Sequence, residues 1–374
     1  MPRDARALVV KELGGPFSFE DVVVDDIQSN EALVKIEASG LCRTDLHCAA
    51  GHRPVQAPAV FGHEGVCAGT VLKVGDDVAD IRPGDRVLLS YSICNTCKQC
   101  SSGHRAYCEN MLGLNFGGKR EDGSKALTLK SDGKPLFSSF FGQSSFSSIA
   151  VVNGTSLVKV PQDTPLDLFA SLGCSMQTGI GAIFNTLDVQ QGSTVAVFGT
   201  GSLGLYAIMA CKLRRAREII AIDIMPSRLQ LAKELGATAT INSSEDGDVA
   251  QQIRDICKAN GVDRALDCSG VAPIIEIMVD SLGTRGKACS VGSNVPGTRV
   301  SIDVHKHFVL GREYVGCHQG DSNPHEMAPM LLEEHRQGRL PLQKVTTSYD
   351  VQDFQRAFED VESGKAVKAV LIWQ

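Results

Sequence analysis

The residues Thr194-Val195-Ala196-Val197-Phe198 form an unbroken run of strand-forming character, and Gly199-Thr200-Gly201-Ser202-Leu203-Gly204 follows it directly. A helix is expected to begin near Ser202. A second strand-like run, 218–223, ends on Asp223, nineteen residues beyond Gly204. A bare G-x-G-x-x-G marks many ordinary turns, and its place between a strand and a helix is what gives it weight. Strand, glycine turn, helix, strand and terminal acid, in that order, favour a βαβ unit that binds a dinucleotide over a plain structural turn. Gly199 would permit the tight turn, Gly201 would let backbone amides approach a pyrophosphate, and Gly204 would bring helix and sheet together. The helix start favours a diphosphate through its unpaired N–H groups and its dipole. Asp223 is placed to accept hydrogen bonds from ribose hydroxyls and to repel a phosphate there, so NAD is expected rather than NADP. Arg228, five residues later, is the alternative contact for a 2′-phosphate, and a surface Arg on a helix is its plainer reading.

Strand-like runs recur at 238–241, 262–268, 286–291 and 313–317, with helical or crossover-length stretches between most of them. Six strands in this alternation predict a doubly wound parallel sheet of the α/β class. The first ~160 residues read differently, as short alternating segments such as 33–38 and 86–90 broken by Gly, Pro and Asp. At 374 residues the chain is long enough for about two domains. After residue 317 come a helix expected at 327–335, another at 351–362 and a closing strand at 366–373. This stretch is too short for a third domain. The expected division is 1–174, 175–317, and a return of 318–374 to the first domain. The loop at 112–139 is rich in Gly, Ser and charge, and loops of that length are usually functional or disordered.

Thirteen cysteines are the informative count. The chain starts MPRDARALVVKE, with charges where an export signal needs an apolar stretch, and no apolar run approaches the ~18 residues that span a bilayer. A cytoplasmic address with reduced thiols is therefore expected, without membrane association. Lys and Arg number 37 against 43 Asp and Glu, a net charge of -6, and no basic stripe offers itself to phosphates, which argues against nucleic acid as a partner. Cys211, Cys257 and Cys289 sit in apolar surroundings and read as core residues. Cys94-x2-Cys97-x2-Cys100-x7-Cys108 instead has the spacing of an all-sulfur tetrahedral metal site. Structural zinc is the favoured reading. An iron-sulfur cluster fits less well, because bacterial ferredoxin runs close with a three-residue gap and a Pro, and unliganded thiols are the third alternative. His104, inside this lobe, reads as a surface residue. No spacing rule links Cys42-Arg43-Thr44-Asp45 with His47, Gly62-His63-Glu64 and Leu172-Gly173-Cys174, and each alone has an ordinary structural reading.

With Gly62-His63-Glu64, the four-cysteine lobe, Gly173-Cys174-Ser175-Met176-Gln177-Thr178-Gly179 and the glycine turn in order, the chain resembles, end to end, a zinc-containing alcohol dehydrogenase of the medium-chain dehydrogenase/reductase superfamily. The long loop and Phe140-Phe141-Gly142-Gln143-Ser144-Ser145-Phe146 resemble the aryl-alcohol (benzyl-alcohol) branch. The resemblance implies a GroES-like β-rich catalytic domain beside a Rossmann-type parallel sheet, two zinc ions per chain, NAD, and a homodimer with a tetramer as the alternative. It implies a catalytic zinc on Cys42, His63 and Cys174, the two-Cys, one-His set of alcohol dehydrogenases, with a fourth position open. Asp45 then fits a partner of His63, Glu64 adjoins the metal, Thr44 touches the substrate oxygen and His47 accepts its proton. Arg43, Thr178, Leu203 and Lys368 join the glycine turn, Asp223 and Arg228 as coenzyme contacts.

The implied chemistry has a physical motive. An alcohol is a poor hydride donor until it loses its proton, and zinc lowers the pKa of a bound oxygen from about 15.7 towards about 7, on the order of 12 kcal/mol. A His or Asp base alone does not supply that. Ser90 falls where a large pocket residue is common in the family, which suits a ring or bulky primary alcohol. Cys48 and Cys67 read as packing residues, and His52 as either a pocket-mouth or a solvent-facing residue. Two alternatives stand beside this reading. One is a glutathione-adduct (S-(hydroxymethyl)glutathione) dehydrogenase, for which Lys119 and Arg120 are the candidate anion contacts. The other is a non-catalytic zinc module, and the dinucleotide turn counts against it. A segment at 299–303 is the expected sheet edge for dimer contact.

Overall fold

The run before the glycine turn becomes strand Thr194–Phe198, buried along its whole length. It is a middle strand of a six-stranded sheet whose order by range is Ala239–Asn242, Glu218–Asp223, Thr194–Phe198, Val262–Asp267, Leu282–Ser290 and Glu313–Gly316. All five pairings are parallel. Parallel strands need crossovers, and the crossover helices cover both faces, so the central strand is buried throughout and apolar from Val195 to Phe198 rather than alternating. Strand order reverses between Thr194–Phe198 and Val262–Asp267, with the glycine turn at the carboxyl end of the first of them. This computed structural model describes residues 3–67, 71–245, 247–294 and 296–373; the side chain of Cys67, expected to pack, lies outside the described residues.

The sheet and its helices belong to one of two compact units, 175–322 with 339–341. Residues 299–303 form no strand, and the sheet ends instead on Glu313–Gly316. Ser301 N of this segment donates to Glu276 Oε1 at 2.7 Å, and helix Val304–Leu310 begins directly after the segment, capped by Asp303, whose carboxylate accepts from Lys306 N at 2.9 Å. This unit runs on past residue 317 to Ser322, through a short turn, Gln319–Asp321, that packs on helix Ser175–Gly181.

The other unit takes the described residues of 1–174 with 323–338 and 342–373. One of its sheets positions the site. Its order is Leu157–Lys159, Val87–Leu89, Gly65–Cys67, Ala38–Gly40, Lys368–Ile372 and Thr346–Asp350. The closing strand Lys368–Ile372 pairs antiparallel with Ala38–Gly40 and parallel with Thr346–Asp350. Cys42 follows one strand of this sheet, His63 precedes its neighbour, and Ser90 follows the next. Three segments far apart in sequence thereby emerge at one end of one sheet.

The stretch at 112–139 is not a structureless loop. It contains part of helix Met111–Phe116 and the strands Leu127–Leu129 and Pro135–Leu136, which extend the sheet of Phe17–Val24. Its turn residues masked the short apolar pairs that anchor it: Leu127, Leu129 and Leu136 are all buried.

Candidate functional site

Helix Arg43–Ala49 starts at Cys42, and Asp45 organises that start. Its carboxylate accepts from Cys42 N at 3.0 Å and from Gly62 N at 3.0 Å, and lies 2.8 Å from His63 Nδ1. Asp45 and His63 are both fully buried. Because Nδ1 serves the carboxylate, Nε2 faces inward, and this buried nitrogen has no hydrogen-bond partner. One ligand atom each from Cys42, His63 and Cys174 lie within 4.8 Å of one another. A hydrogen bond from Cys174 and the charge of His63 hold the Cys42 thiol well below its ordinary pKa. Cys174 is pushed up by that shared proton and by burial. Burial opposes charge on His63, but Asp45 and Cys42 outweigh it and raise its pKa. Two sulfurs competing for a proton beside an orphaned imidazole nitrogen fit a zinc ion with a fourth position open.

Glu64 is fully buried, which raises its pKa against the pull of Lys368. Lys368, expected at the coenzyme, is 1% exposed; its ammonium pairs with the Glu64 carboxylate and donates to Leu41 O at 3.1 Å. The reason is local: strand Lys368–Ile372 lies beside Ala38–Gly40 and aims its first side chain at this end of the sheet. Thr44 and His47 are half-buried on helix Arg43–Ala49, three residues apart and so on one face, while Arg43 is exposed. Burial, then the charges of His52, Arg53 and Arg43, lower the His47 pKa. The exposed His52 packs its ring edge-on to His47, with centroids 5.8 Å apart. Cys48 is buried packing, its thiol pushed up to about 12 by desolvation.

Aromatic rings line His63. Phe141 stacks on it at 4.4 Å with 26° between planes, Phe140 meets it edge-on at 5.4 Å, and Phe116 contacts both rings. Ser90 does not open a pocket as expected: it is 1% exposed and donates to Gly173 O at 2.8 Å. Arg120 is likewise unavailable to an anionic substrate, since its guanidinium grips Glu31 through two contacts of 2.9 and 3.0 Å, while Lys119 is exposed. Gln143, which carried no role in the sequence, is fully buried and bonds the backbone at His63 O and Gly65 N.

The thiols of Cys94, Cys97, Cys100 and Cys108 also converge within 4.8 Å. Backbone N–H groups point at them: Cys97 N at Cys94 Sγ, Cys94 N at Cys108 Sγ and Glu109 N at Cys97 Sγ, each at 3.4 Å. Contacts from Thr96 lower Cys94 to about 5, whereas desolvation raises Cys100 to about 12. Four sulfurs in a nest of amide donors suit a closed tetrahedral zinc site. His104 is exposed, outside the ligand set.

In the other unit, Gly199 has φ +89° and Gly201 caps helix Ser202–Leu213. A Cβ on Gly204 would lie 2.0 Å from Gly199 O, whereas one on Gly201 would meet nothing within 4 Å. Asp223 accepts from Thr200 N at 2.6 Å, Thr200 Oγ1 at 2.8 Å and Met225 N at 3.0 Å, which fixes its carboxylate beside the turn. Thr178 is buried in helix Ser175–Gly181, which crosses close to Leu203: a Cβ on Gly179 would lie 2.4 Å from Leu203 O. Arg228 is not a surface residue. It is 8% exposed, on the inward face of helix Pro226–Leu235. A cavity of about 300 Å³ in this unit, lined by Asp248, Glu276, Asp280, His307 and Arg312 among others, holds none of the expected site residues.

Two family descriptions match the chain: "Alcohol dehydrogenase GroES-like domain" over residues 28–162 and "Zinc-binding dehydrogenase" over 202–334. A geraniol dehydrogenase from Castellaniella defragrans is 37% identical, with 99% of this chain and 98% of that protein aligned. The chain belongs to the zinc-containing alcohol dehydrogenases of the medium-chain dehydrogenase/reductase superfamily. It is therefore an oxidoreductase acting on CH–OH donors, with a GroES-like unit and a Rossmann-like parallel sheet. Among solved structures it is similar to an alcohol dehydrogenase zinc-binding domain protein from Burkholderia ambifaria, with TM-score 0.97, 41% identity and 100% of both chains covered. It is also similar to benzyl alcohol dehydrogenase from Acinetobacter calcoaceticus, with TM-score 0.94, 36% identity and 100% of both chains covered. No helix among the described residues is long and apolar enough to cross a membrane.

Proposed function

We propose that this zinc-family dehydrogenase transfers hydride reversibly between an aryl or other bulky primary alcohol, with its aldehyde, and NAD, using two zinc ions per chain. What supports the substrate class is the likeness to a geraniol dehydrogenase at 37% identity and to a benzyl alcohol dehydrogenase at 36%, whose names give bulky or aromatic primary alcohols. Phe140 and Phe141, only 2 and 3% exposed, pack against the His63 ring and hold it in place. A zinc bound by Cys42, His63 and Cys174 supplies the Lewis acidity that brings alcohol deprotonation within reach of neutral pH. The chain's own residues do the rest. Asp45 holds the His63 tautomer, the Thr44 hydroxyl orients the substrate oxygen, and His47, kept neutral by burial and neighbouring cations, accepts the proton. Arg43, Thr178, Leu203, Gly199, Gly201 and Gly204 serve the coenzyme, and Asp223 its ribose. Lys368 acts through Glu64 rather than on a phosphate.

The remaining proposals concern assembly and address. Val304, Phe308 and Val309 are 77, 80 and 60% exposed on helix Val304–Leu310, in the unit whose sheet ends on the open strand Glu313–Gly316; they support a homodimer. Two clusters of thiol ligands support a cytoplasmic, reducing address. The test is a panel of primary alcohols with NAD and NADP assayed separately by nicotinamide absorbance. Benzylic and long allylic alcohols are expected to exceed ethanol in kcat/KM by about a hundredfold or more with NAD. Equal efficiency for ethanol, or preference for NADP, would contradict the reading.

A further inference from the structure

Gln143 lies in the segment 140–146, which the backbone forces into an unusual path. Phe141, Gly142 and Ser144 all have positive φ, at 51°, 64° and 45°. For Phe and Ser this is a strained conformation that persists only when neighbours over-determine it. The neighbours are visible: Ser144 Oγ donates to Val60 O at 2.6 Å, Ser145 N to Gly62 O at 2.9 Å and Phe146 N to Phe61 O at 3.0 Å. The segment is thus laid along the residues that lead into His63.

The amide of Gln143 uses this placement. Its Oε1 accepts from Gly65 N at 3.0 Å, and its Nε2 donates to His63 O at 3.1 Å and to Ser90 O at 3.0 Å. Ser90 continues the connection, its Oγ donating to Gly173 O at 2.8 Å, one residue before Cys174. Gly173 accepts this close approach because it has no side chain: a Cβ there would lie 1.9 Å from Leu89 O. A continuous strap, His63 to Gln143 to Ser90 to Gly173, therefore joins two of the three metal-ligating segments. The amide fits it in one orientation only, since its acceptor faces an N–H and its donors face two carbonyls.

We propose that Gln143 and Ser90 are positioning residues that set the separation of His63 and Cys174, and so tune the catalytic metal site without touching metal or substrate. The inference rests on the metal-site reading above. Ligand-supporting contacts of this kind typically change metal affinity about tenfold to a hundredfold when lost.

Gln143→Glu is nearly isosteric but turns a carboxylate towards two carbonyls, and Ser90→Ala removes the hydroxyl that bonds Gly173 O. Both enzymes would be loaded with cobalt(II) in place of zinc, and affinity, the visible ligand-field spectrum and thermal melting followed together. Each substitution is expected to weaken cobalt at the Cys42, His63 and Cys174 site by about tenfold or more and to shift its spectrum. Metal content of the four-cysteine lobe and NAD affinity should stay at native values. If Gln143→Glu does not fold, Ser90→Ala decides alone. A native cobalt signal at this site that neither folded variant moves would overturn the inference, even if melting falls, because a merely structural role lowers stability without changing the ligand field. Absence of a cobalt signal sensitive to Cys174→Ala in the native protein would overturn the metal-site reading, and the inference with it.

Discussion

Asp45 decides which nitrogen of His63 faces the two thiols, and a single carboxylate oxygen thereby determines whether three ligand-type side chains form a site. The same residue-level logic sets the pH behaviour of His47. Its pKa lies below the ordinary value of 6.5, so the imidazole is neutral at pH 7 and loses its capacity to accept a proton only as pH falls through that lowered pKa. The acid limb of kcat/KM for alcohol oxidation should therefore lie below pH 6.5, and His47→Gln should remove that limb while lowering the rate on the order of tenfold or more. An unchanged profile would contradict the assignment. Asp223 makes a second test. Its carboxylate repels a 2′-phosphate, so Asp223→Ser should raise the NADP-to-NAD ratio of kcat/KM by about tenfold or more. A ratio that stays put would remove the role given to that side chain. Some residues were illegible in the sequence because their partners are remote. Lys368 reads as a coenzyme contact until the closing strand buries it against Glu64, and Arg120 as an anion contact until Glu31 takes its fork. Gln143 has no spacing relation to Gly65 or Ser90 at all.

Elements explain why the dinucleotide turn and the four-cysteine lobe were readable and the three-ligand set of Cys42, His63 and Cys174 was not. Strand, glycine turn and helix are contiguous, so local sequence order is also spatial order, and each glycine has a checkable task. Gly204→Ala would push a Cβ to 2.0 Å from Gly199 O. Overpacking of that kind costs about 1–3 kcal/mol, and a lower melting temperature together with weakened NAD binding is expected. Native values for both would mean the helix does not need that close approach. Of the proposed catalytic ligands, in contrast, Cys42 and His63 flank the adjacent strands Ala38–Gly40 and Gly65–Cys67, while Cys174 follows the short turn Ala170–Gly173 more than a hundred residues later. Only a family resemblance could join them in advance. The segment 112–139 misled for a related reason: its strands are two and three residues long, below the length at which alternation is visible. The missing strand at 299–303 shows the same weakness, because an extended-looking run before a capped helix needs no sheet partner.

For the whole molecule, the reading divides the labour between two units. One offers the open three-ligand site and the closed four-cysteine site, and the other a turn shaped for a pyrophosphate with an acid fixed beside it. The reaction needs both, since neither a metal-activated alcohol nor a bound nicotinamide transfers hydride alone. The claim on which this rests is that Cys42, His63 and Cys174 bind one zinc and the four-cysteine lobe another. Metal content measured by elemental analysis on the purified native chain and on Cys174→Ala tests it most directly. Two zinc ions per native chain are expected, falling to one in Cys174→Ala with turnover abolished and NAD affinity retained. Fewer than two in the native protein, or two still held after the substitution, would contradict it.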